Sequence, residues 1–264
     1  MTGRYYVTPN GDPYYNMALD EWLFAAIQKR TDFAPAVLRL YSWDRGAITI
    51  GYNQNPSKAV DFDALDTDVP IIRRITGGRA IYHDPSEITF SLALNQAIFP
   101  ETSRSLSRTN TFISGSVVEA LESAGIDVSW SRQSEPGFAA GREIPRKSCF
   151  GSISKYEIIS RLGKIAGGAQ RMIGSSLIHQ CSIKINGVSD CPAIGQNQAP
   201  ASGEESLNKN TGKKLGLSDF TEAFRLVFSR NLGVRLDLTE FSAGDTKEIE
   251  LFIQRVAEKR LEKR

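Results

Sequence analysis

One short segment of this 264-residue chain concentrates residue types that suit chemistry. The segment contains Arg73, Arg74, Thr76, Gly77, Gly78, Arg79, Ala80, His83 and Asp84. Arginines supply fixed positive charge and forked donors, and a glycine pair lets the backbone approach a ligand closely. The segment therefore suits an anionic ligand, although a basic turn with solvated charges is the simpler interpretation of these residues alone.

A cysteine and a lysine further along the chain are candidates for covalent chemistry. Arg146 and Lys147 lie three and two positions before Cys149. Nearby positive charge favours the nucleophilic thiolate over a thiol whose ordinary pKa is about 8.5. Lys164 follows Gly163 at a predicted turn. Taken alone, a small buried cysteine and a solvated lysine are the more common interpretations.

The elements that would position these groups are short strands and helices. Residues 71–76 and 87–94 have strand composition, which predicts a pair of strands with the arginine-glycine segment as their turn. Strands at 36–43 and 47–52 are predicted to form a hairpin at residues 44–46. The other predicted elements are a strand at 127–131, a strand-rich stretch at 148–186 that is interrupted at 161–163, and helices at 14–29, 111–124, 219–231 and 246–263. Gly125 and Asp245 are the expected caps of the second and last helices.

Composition limits the class of protein. The chain is 41% hydrophobic and 23% charged, with no run near the roughly 20 apolar residues of a membrane span. The N-terminus lacks the apolar core of a signal peptide, so we expect a cytoplasmic protein. A net charge of +2 is too small to indicate nucleic acid, and three cysteines do not make a disulfide framework.

Residues 101–110 and 187–216 are predicted to be loops. They are either solvated connectors between elements, or one of them closes over the acyl substrate.

Four blocks of sequence, in order, resemble the biotin/lipoate protein ligase and octanoyltransferase superfamily. The blocks are N-M-A-L-D-E at 16–21, R-R-I-T-G-G-R-A-I-Y-H-D at 73–84, C-F at 149–150 with Y-E-I at 156–158, and G-K-I-A-G-G-A-Q at 163–170. The pattern is most similar to the LipM-type octanoyltransferases. The resemblance implies an α+β fold of mixed and antiparallel sheets flanked by helices. It implies one catalytic domain over 1–264, with a mobile loop at about 187–216 and C-terminal helices at about 219–264.

The same resemblance implies roles for individual residues. Cys149 would accept the acyl group and Lys164 would contact the reacting carbonyl. The expected substrate-binding residues are Arg73, Arg74, Thr76, Gly77, Gly78, Arg79, Ala80, His83, Asp84, Gly167, Gly168 and Ala169. The apolar slot for the acyl chain could be lined by Ile75, Ala80, Ile165 and Ala169.

The implied reaction moves an octanoyl group from an acyl carrier protein to Cys149, and then to a lysine of a lipoyl domain. Glycine cleavage protein H and the 2-oxoacid dehydrogenase E2 subunit are examples of such acceptors. A thioester is already activated, so this reaction requires no nucleotide or metal. The alternative within the superfamily is a lipoate–protein ligase, which would need ATP and Mg²⁺ and in which Cys149 has no role.

Residues 179–182 read H-Q-C-S where the LipM-type pattern has Q-H-G-S, which is a departure from that pattern.

Three further interpretations have less support. A zinc-stabilised module could use Cys149, His179, Cys181 and Cys191, but their spacing lacks a C-x₂₋₄-C pair. A biotin ligase would carry a G-R-G-R-x-G-R-x-W element, which is missing here. A non-catalytic lipoyl-domain scaffold remains the other alternative.

Overall fold

The computed structural model describes residues 1–66, 68–99, 105–131, 155–160, 163–185, 191–195, 212 and 215–259. These residues form two β-sheets with helices packed against them. The strands are β1 (Thr2–Gly11), β2 (Ala36–Trp43), β3 (Ala47–Ile50), β4 (Ile71–Arg73), β5 (Ile81–His83), β6 (Ile88–Asn95), β7 (Ser129–Trp130), β8 (Ile158–Ser160), β9 (Gly163–Ile173), β10 (Ser176–Ile183) and β11 (Arg235–Leu238). The helices are α1 (Pro13–Lys29), α2 (Pro56–Ala59), α3 (Leu106–Ser123), α4 (Ser218–Leu232) and α5 (Ala243–Glu258).

The large sheet has the strand order β11-β1-β2-β6-β10-β9-β8-β7, and the small sheet has the order β4-β3-β5. Helices α3 and α4 cover one face of the large sheet, where Val117 and Phe224 pack with Phe90 of β6. Helices α1 and α5 cover the other face, where Trp22 and Ile249 are buried in one cluster. The large sheet mixes parallel and antiparallel pairs, which confirms the α+β class.

Both hairpins that the sequence predicts are wrong. Strands β2 and β3 lie in different sheets, although only residues 44–46 separate them. Strands β4 and β6 are also in different sheets, because β4 pairs in parallel with β3 while β6 lies between β2 and β10. Alternating hydrophobicity reports which face of a strand is buried and carries no information about the partner strand.

Helix ends follow ordinary capping chemistry, with one correction. The Asp12 side chain accepts hydrogen bonds from the Tyr14 and Tyr15 N–H groups at the start of α1. Gly125 follows α3 with a φ of 83°, as expected of a terminating glycine. At α5 the N-cap is Ser242, and Asp245 is its capping-box partner three residues later. The prediction of Asp245 as the N-cap was therefore wrong by three positions.

Part of the predicted loop at 187–216 packs into the small sheet. Cys191, Ala193 and Ile194 are buried in one cluster with Ile48 and Ile71. The Ala193 carbonyl also accepts a hydrogen bond of 2.6 Å from the Asp61 N–H. This short piece is core structure rather than solvated connector, and most of the predicted loop lies outside the described residues.

A buried carboxylate joins α1 to the large sheet. Asp20 is fully buried, and its oxygens accept hydrogen bonds from Arg39 at 2.8 Å and Tyr41 at 2.9 Å on β2. They also accept from Ser91 on β6 at 2.7 Å and from Gln180 on β10 at 2.6 Å. A buried charge is tolerated when it is paired and hydrogen-bonded, as this one is.

We expect Asp20→Asn to lower the free energy of unfolding by about 3–5 kcal/mol, because it leaves the buried Arg39 guanidinium without its counter-charge. Chemical denaturation of the two proteins measures the difference. The control is Glu222→Gln, which breaks a surface pair with Arg225 and should leave the midpoint unchanged. An unfolding midpoint for Asp20→Asn equal to that of the wild type would contradict this role.

Candidate active site

Arg74 organises the glycine loop from inside. Its side chain is buried, and its Nη2 donates to the carbonyls of Gly77 at 2.5 Å and Arg79 at 2.8 Å. Its Nη1 donates to the Thr49 carbonyl of β3 at 3.1 Å. The guanidinium therefore holds the loop against the small sheet. That Arg74 also contacts the substrate stays a prediction.

Arg73 holds the next loop in a similar way. Its Nη1 donates to the carbonyls of Gly51, Tyr52 and Gln54, at 3.0, 2.9 and 2.7 Å. Arg73 thereby provides a hydrogen-bond donor to three backbone carbonyls that lie outside regular secondary structure in this loop. In this structure both arginines thus bind backbone carbonyls.

Two glycines are required where the loops meet. Gly78 has a φ of 88°, and a Cβ added there would lie 2.9 Å from Arg74 Nη2 and 3.4 Å from the Ala169 Cβ. A Cβ on Gly51 would collide with the Gly78 carbonyl. Gly77 has open space around its missing Cβ, so its position imposes no such steric requirement. Ala169 of β9 is therefore the floor against which Gly78 packs.

Thr76 connects the glycine loop to the core. Its hydroxyl is fully buried and donates to the Gln180 side-chain oxygen at 2.6 Å. The nitrogen of the same amide donates to Asp20. The loop is thereby joined through Gln180 to the carboxylate that holds α1 on the sheet.

A cavity opens beneath this loop, between the two sheets. Its apolar wall includes Met17 of α1, Tyr41 of β2 and Ile81 of β5. The full lining is Met17, Tyr41, Thr49, Arg74, Gly78, Ile81, His83, Thr89, Gly167, Gly168, Ala169, Gln180, Cys181 and Ser182. We call it the apolar cavity. Of the four residues expected to line an acyl slot, only Ala169 does so. Ala80 and Ile165 are packed in hydrophobic clusters instead.

His83 belongs to a buried charge network at the end of the apolar cavity. Its Nδ1 lies 2.7 Å from Glu87, and its Nε2 lies 2.8 Å from the Thr49 hydroxyl. Lys184 binds Glu87 and lies 3.6 Å from Asp84. Burial opposes ionisation of Glu87, but the charges of His83 and Lys184 outweigh it and hold the pKa of this carboxyl at about 2. Asp84 also accepts from the Ser86 N–H at 3.0 Å, which holds the turn.

Lys164 is held at the glycine-rich part of β9. Its ammonium lies 2.7 Å from the Glu157 carboxylate, and the two side chains are 3% and 10% exposed. Gly167 has no Cβ, and one placed there would lie 3.0 Å from Lys164 Nζ. The lysine therefore lies beside Gly167, one of the residues that line the apolar cavity, in the space that this glycine leaves.

The backbone of Glu157 is fixed by its neighbours. The Ser114 hydroxyl on α3 donates to the Tyr156 carbonyl at 2.6 Å, and the Glu157 carbonyl accepts from the Ser131 N–H at 2.8 Å. Tyr156 has a φ of 76°, an uncommon conformation for a non-glycine residue that the surrounding bonds maintain. These contacts aim the Glu157 carboxylate at Lys164. Cys149 lies outside the described residues, so its proximity to Lys164 stays a prediction.

A second cavity lies on the opposite face of the large sheet, beside α3. We call it the polar cavity because its lining includes Asn110, Ser114, Lys155, Glu157 and His179. His179 Nδ1 is buried with no hydrogen-bond partner. Burial lowers the pKa of His179 to about 4, so the ring is neutral near pH 7. A Cβ on Gly168 would collide with this ring, which explains the second glycine of the pair.

Sequence reasoning missed three residues of this region. Glu157 was noticed only as part of a motif, with no role of its own. Gln180 was noticed only as a departure from a family pattern, and His179 only in that departure and as a possible zinc ligand. Alternation along β10 is the signal that could have separated them, because it places 179 and 180 on opposite faces of the sheet.

Neither of the other cysteines nor any acidic cluster provides a metal site among the residues described. Cys181 and Cys191 are both buried thiols, in separate clusters. No group of three or more His, Cys, Asp or Glu side chains is arranged to hold a metal ion in this part of the chain.

Comparison with known proteins identifies one consistent set of relatives. The model of the lipoyl protein ligase A/B catalytic domain matches residues 12–216. The octanoyltransferase LipM of Kyrpidia tusciae is 30% identical over 261 residues, covering 94% of each chain. The LipM enzymes of Staphylococcus aureus and Bacillus subtilis are 29% and 26% identical, over 94% and 91% of this chain and 94% and 90% of their own.

Solved structures share the fold. A lipoate-protein ligase A bound with ATP superposes with a TM-score of 0.72 at 20% identity, covering 97% of this chain and 95% of its own. The bi-partite lipoate protein ligase of Thermoplasma acidophilum, studied with its E2 lipoyl domain, gives 0.68 at 20% identity over 97% and 93%. At these identities the structures establish the architecture alone.

We expect acid to destabilise the fold through His179. Its pKa of about 4 lies below the ordinary 6.5, so between those values the unfolded chain binds the proton that the folded chain does not. The free energy of unfolding should therefore fall as pH falls through this window, by about 3 kcal/mol. Denaturant titrations of wild type and His179→Gln from pH 7 to 4 measure the contribution of His179 to the pH dependence of the free energy of unfolding. Parallel pH profiles for the two proteins would show that His179 does not titrate this way.

Proposed function

This chain belongs to the lipoyl protein ligase A/B catalytic-domain family, and we propose that it is an octanoyltransferase of protein lipoylation that acts through a thioester on Cys149. The observation that carries the proposal is the buried Lys164–Glu157 pair beside Gly167, a residue that lines the apolar cavity. The names of the LipM relatives, at 26–30% identity over most of the chain, support the same activity.

The first half-reaction forms the acyl-enzyme. The Cys149 thiolate attacks the carbonyl carbon of an octanoyl thioester on an acyl carrier protein, and a new C–S bond forms. The Lys164 ammonium donates a hydrogen bond to the oxygen on which negative charge develops. The carrier's C–S bond then breaks, and its sulfur leaves as a free thiol, with the proton that Cys149 released when it formed the thiolate.

The second half-reaction transfers the acyl group to a lipoyl domain. The neutral amine of its target lysine attacks the thioester carbon, an amide bond forms, and the bond to Cys149 breaks. The proton that the amine loses passes to the departing sulfur, so the enzyme regains its thiol. Suitable acceptors are the glycine cleavage protein H and the 2-oxoacid dehydrogenase E2 subunit.

The apolar cavity suits the octanoyl chain. Met17, Tyr41 and Ile81 surround it with apolar surface, and Ala169 keeps the floor small. Burying a chain with about seven carbons beyond the carbonyl, at about 0.8 kcal/mol each, contributes about 5 kcal/mol of binding. This contribution holds the thioester carbonyl near Lys164 while the reaction proceeds.

The reaction as proposed needs no nucleotide and no metal, because the thioester supplies the activation. We place it in the cytoplasm, where thiols stay reduced. None of the helices in the described ranges is long and apolar enough to cross a membrane. The same active-site region in an ATP-dependent ligase would receive free lipoate, and an acylation experiment without ATP separates the two reactions.

Intact mass spectrometry after mixing with octanoyl-acyl carrier protein, without ATP, should show one octanoyl adduct. Hydroxylamine should remove it, because hydroxylamine cleaves thioesters. We expect no such adduct in Cys149→Ser and an unchanged adduct in Cys191→Ser, whose thiol is buried in the small-sheet cluster. If no adduct forms and a lipoyl domain is modified only with ATP and free lipoate, the protein is a ligase.

Gly167→Ala should impair acylation while the fold survives. The new Cβ would lie 2.9 Å from Lys164 Cε and 3.0 Å from Nζ, so the flexible end of the lysine must move. We expect acyl-enzyme formation to slow by about 10²-fold, the lower range for loss of one oxyanion donor. Quenched-flow mass spectrometry measures the rate. Gly115→Ala on α3 has open space and is the control. A Gly167→Ala rate equal to that of the control would remove Lys164 from the mechanism.

A further inference from the structure

We propose that the polar cavity binds the pantetheine arm of the acyl donor, the uncharged chain of amides and hydroxyls that ends at the thioester sulfur. The proposal rests on the octanoyltransferase function and assigns the other half of the donor to a site. The apolar cavity receives the carbon chain on one side of the carbonyl. The polar cavity receives the arm that extends from the sulfur on the other side.

The two cavities meet at the glycine pair of β9. They lie on opposite faces of the large sheet, and Gly167, Gly168 and Cys181 line both. Strand β8 pairs with β9 only as far as Ala166, and no other described strand pairs with that edge beyond this residue. At this edge Gly167 and Gly168 present no side chains to either cavity. The donor passes from one face to the other beside these two residues.

The Lys164–Glu157 pair marks where the carbonyl would lie. Lys164 contacts the position of the missing Gly167 Cβ, and Glu157 lines the polar cavity. A thioester with its carbonyl at Lys164 has two ends of opposite chemistry, one hydrocarbon and one amide-rich. The two cavities differ in the same way, because one is apolar and the other is polar.

The lining of the polar cavity suits an uncharged hydrogen-bonding ligand. His179 is 6% exposed and its Nδ1 has no partner, so the ring leaves one buried polar atom to be satisfied. Asn110 and Ser114 of α3 add amide and hydroxyl groups. A neutral imidazole offers one donor and one acceptor, which matches amides and hydroxyls better than an anion.

The mouth of the cavity carries positive charge. Lys155 is exposed, and its ammonium lies 4.8 Å from the centroid of the Tyr156 ring. In a carrier protein, or in coenzyme A, the pantetheine arm ends in a phosphate. An arm that enters past Lys155 would place this phosphate near the ammonium, where the attraction is favourable.

Three octanoyl thioesters test the proposal: octanoyl-ethanethiol, which has no arm, octanoyl-pantetheine, and octanoyl-coenzyme A, which adds the phosphate. For His179→Leu we expect KM for the pantetheine and coenzyme A donors to rise about 10-fold, with kcat and the ethanethiol reaction unchanged. His179→Gln, which keeps hydrogen-bonding groups, should recover part of the loss. Asn110→Ala is a second variant in case His179→Leu unfolds. Lys155→Ala should raise KM only for the coenzyme A donor.

Each result has one meaning. Equal losses for all three donors, or no loss for any, would overturn the proposal, because the residues would then be structural or idle. A loss confined to transfer onto the lipoyl domain would also overturn it, since the cavity would then serve the acceptor lysine. If the wild type is acylated neither by these donors nor by octanoyl-acyl carrier protein, the octanoyltransferase function itself fails. Acylation by the ethanethiol donor with unaltered pantetheine kinetics in the variants leaves that function intact and removes only the arm site.

Discussion

The buried carboxylate of Asp20 is the interaction on which the rest of the site depends. Four side chains from β2, β6 and β10 donate to its two oxygens, so a single charge holds α1 against three strands. Gln180 carries the connection further, because its amide oxygen accepts from Thr76 in the glycine loop. The loop that covers the apolar cavity is therefore fastened to the hydrophobic core by two hydrogen bonds in series. A buried charge satisfied so completely admits few other arrangements.

Among the described residues, three of the buried ion pairs have different roles. Asp20 with Arg39 fastens α1, and Glu87 with Lys184 fastens the turn after β5. Glu157 with Lys164 differs in location, because it lies at a sheet edge between two cavities and against a glycine. The first two pairs are enclosed by side chains that consume their hydrogen-bonding capacity. The third is placed where a substrate carbonyl can approach.

The glycine pair at 167 and 168 provides the space for two polar side chains of the site. Each missing Cβ leaves space for a different side chain, Lys164 at the first position and His179 at the second. The two spaces lie on opposite faces of the large sheet, because successive strand residues point in opposite directions. The end of the Lys164 side chain therefore lies on one face and the His179 ring on the other. Larger residues at 167 and 168 would fill both spaces.

The sequence by itself determined the local elements and the residue types of the site. Periodicity predicted α1 to within one residue and β2 at its observed limits, and Gly125 ended α3 as expected. Motif resemblance singled out Lys164 and the glycine pairs. These features could be read because helix periodicity, capping and glycine conformations depend on residues close together in the chain.

Tertiary structure decided strand partners and the partners of buried polar groups. Gln180 meets an aspartate 160 residues away, and Arg74 binds carbonyls of its own loop where the sequence indicated an anion. Lys164 finds Glu157 across a β-bulge, and His179 is left with an unsatisfied nitrogen. Periodicity specifies which side of an element is buried. Which group lies opposite each buried polar atom depends on how the sheets and helices pack, and only the folded chain contains that information.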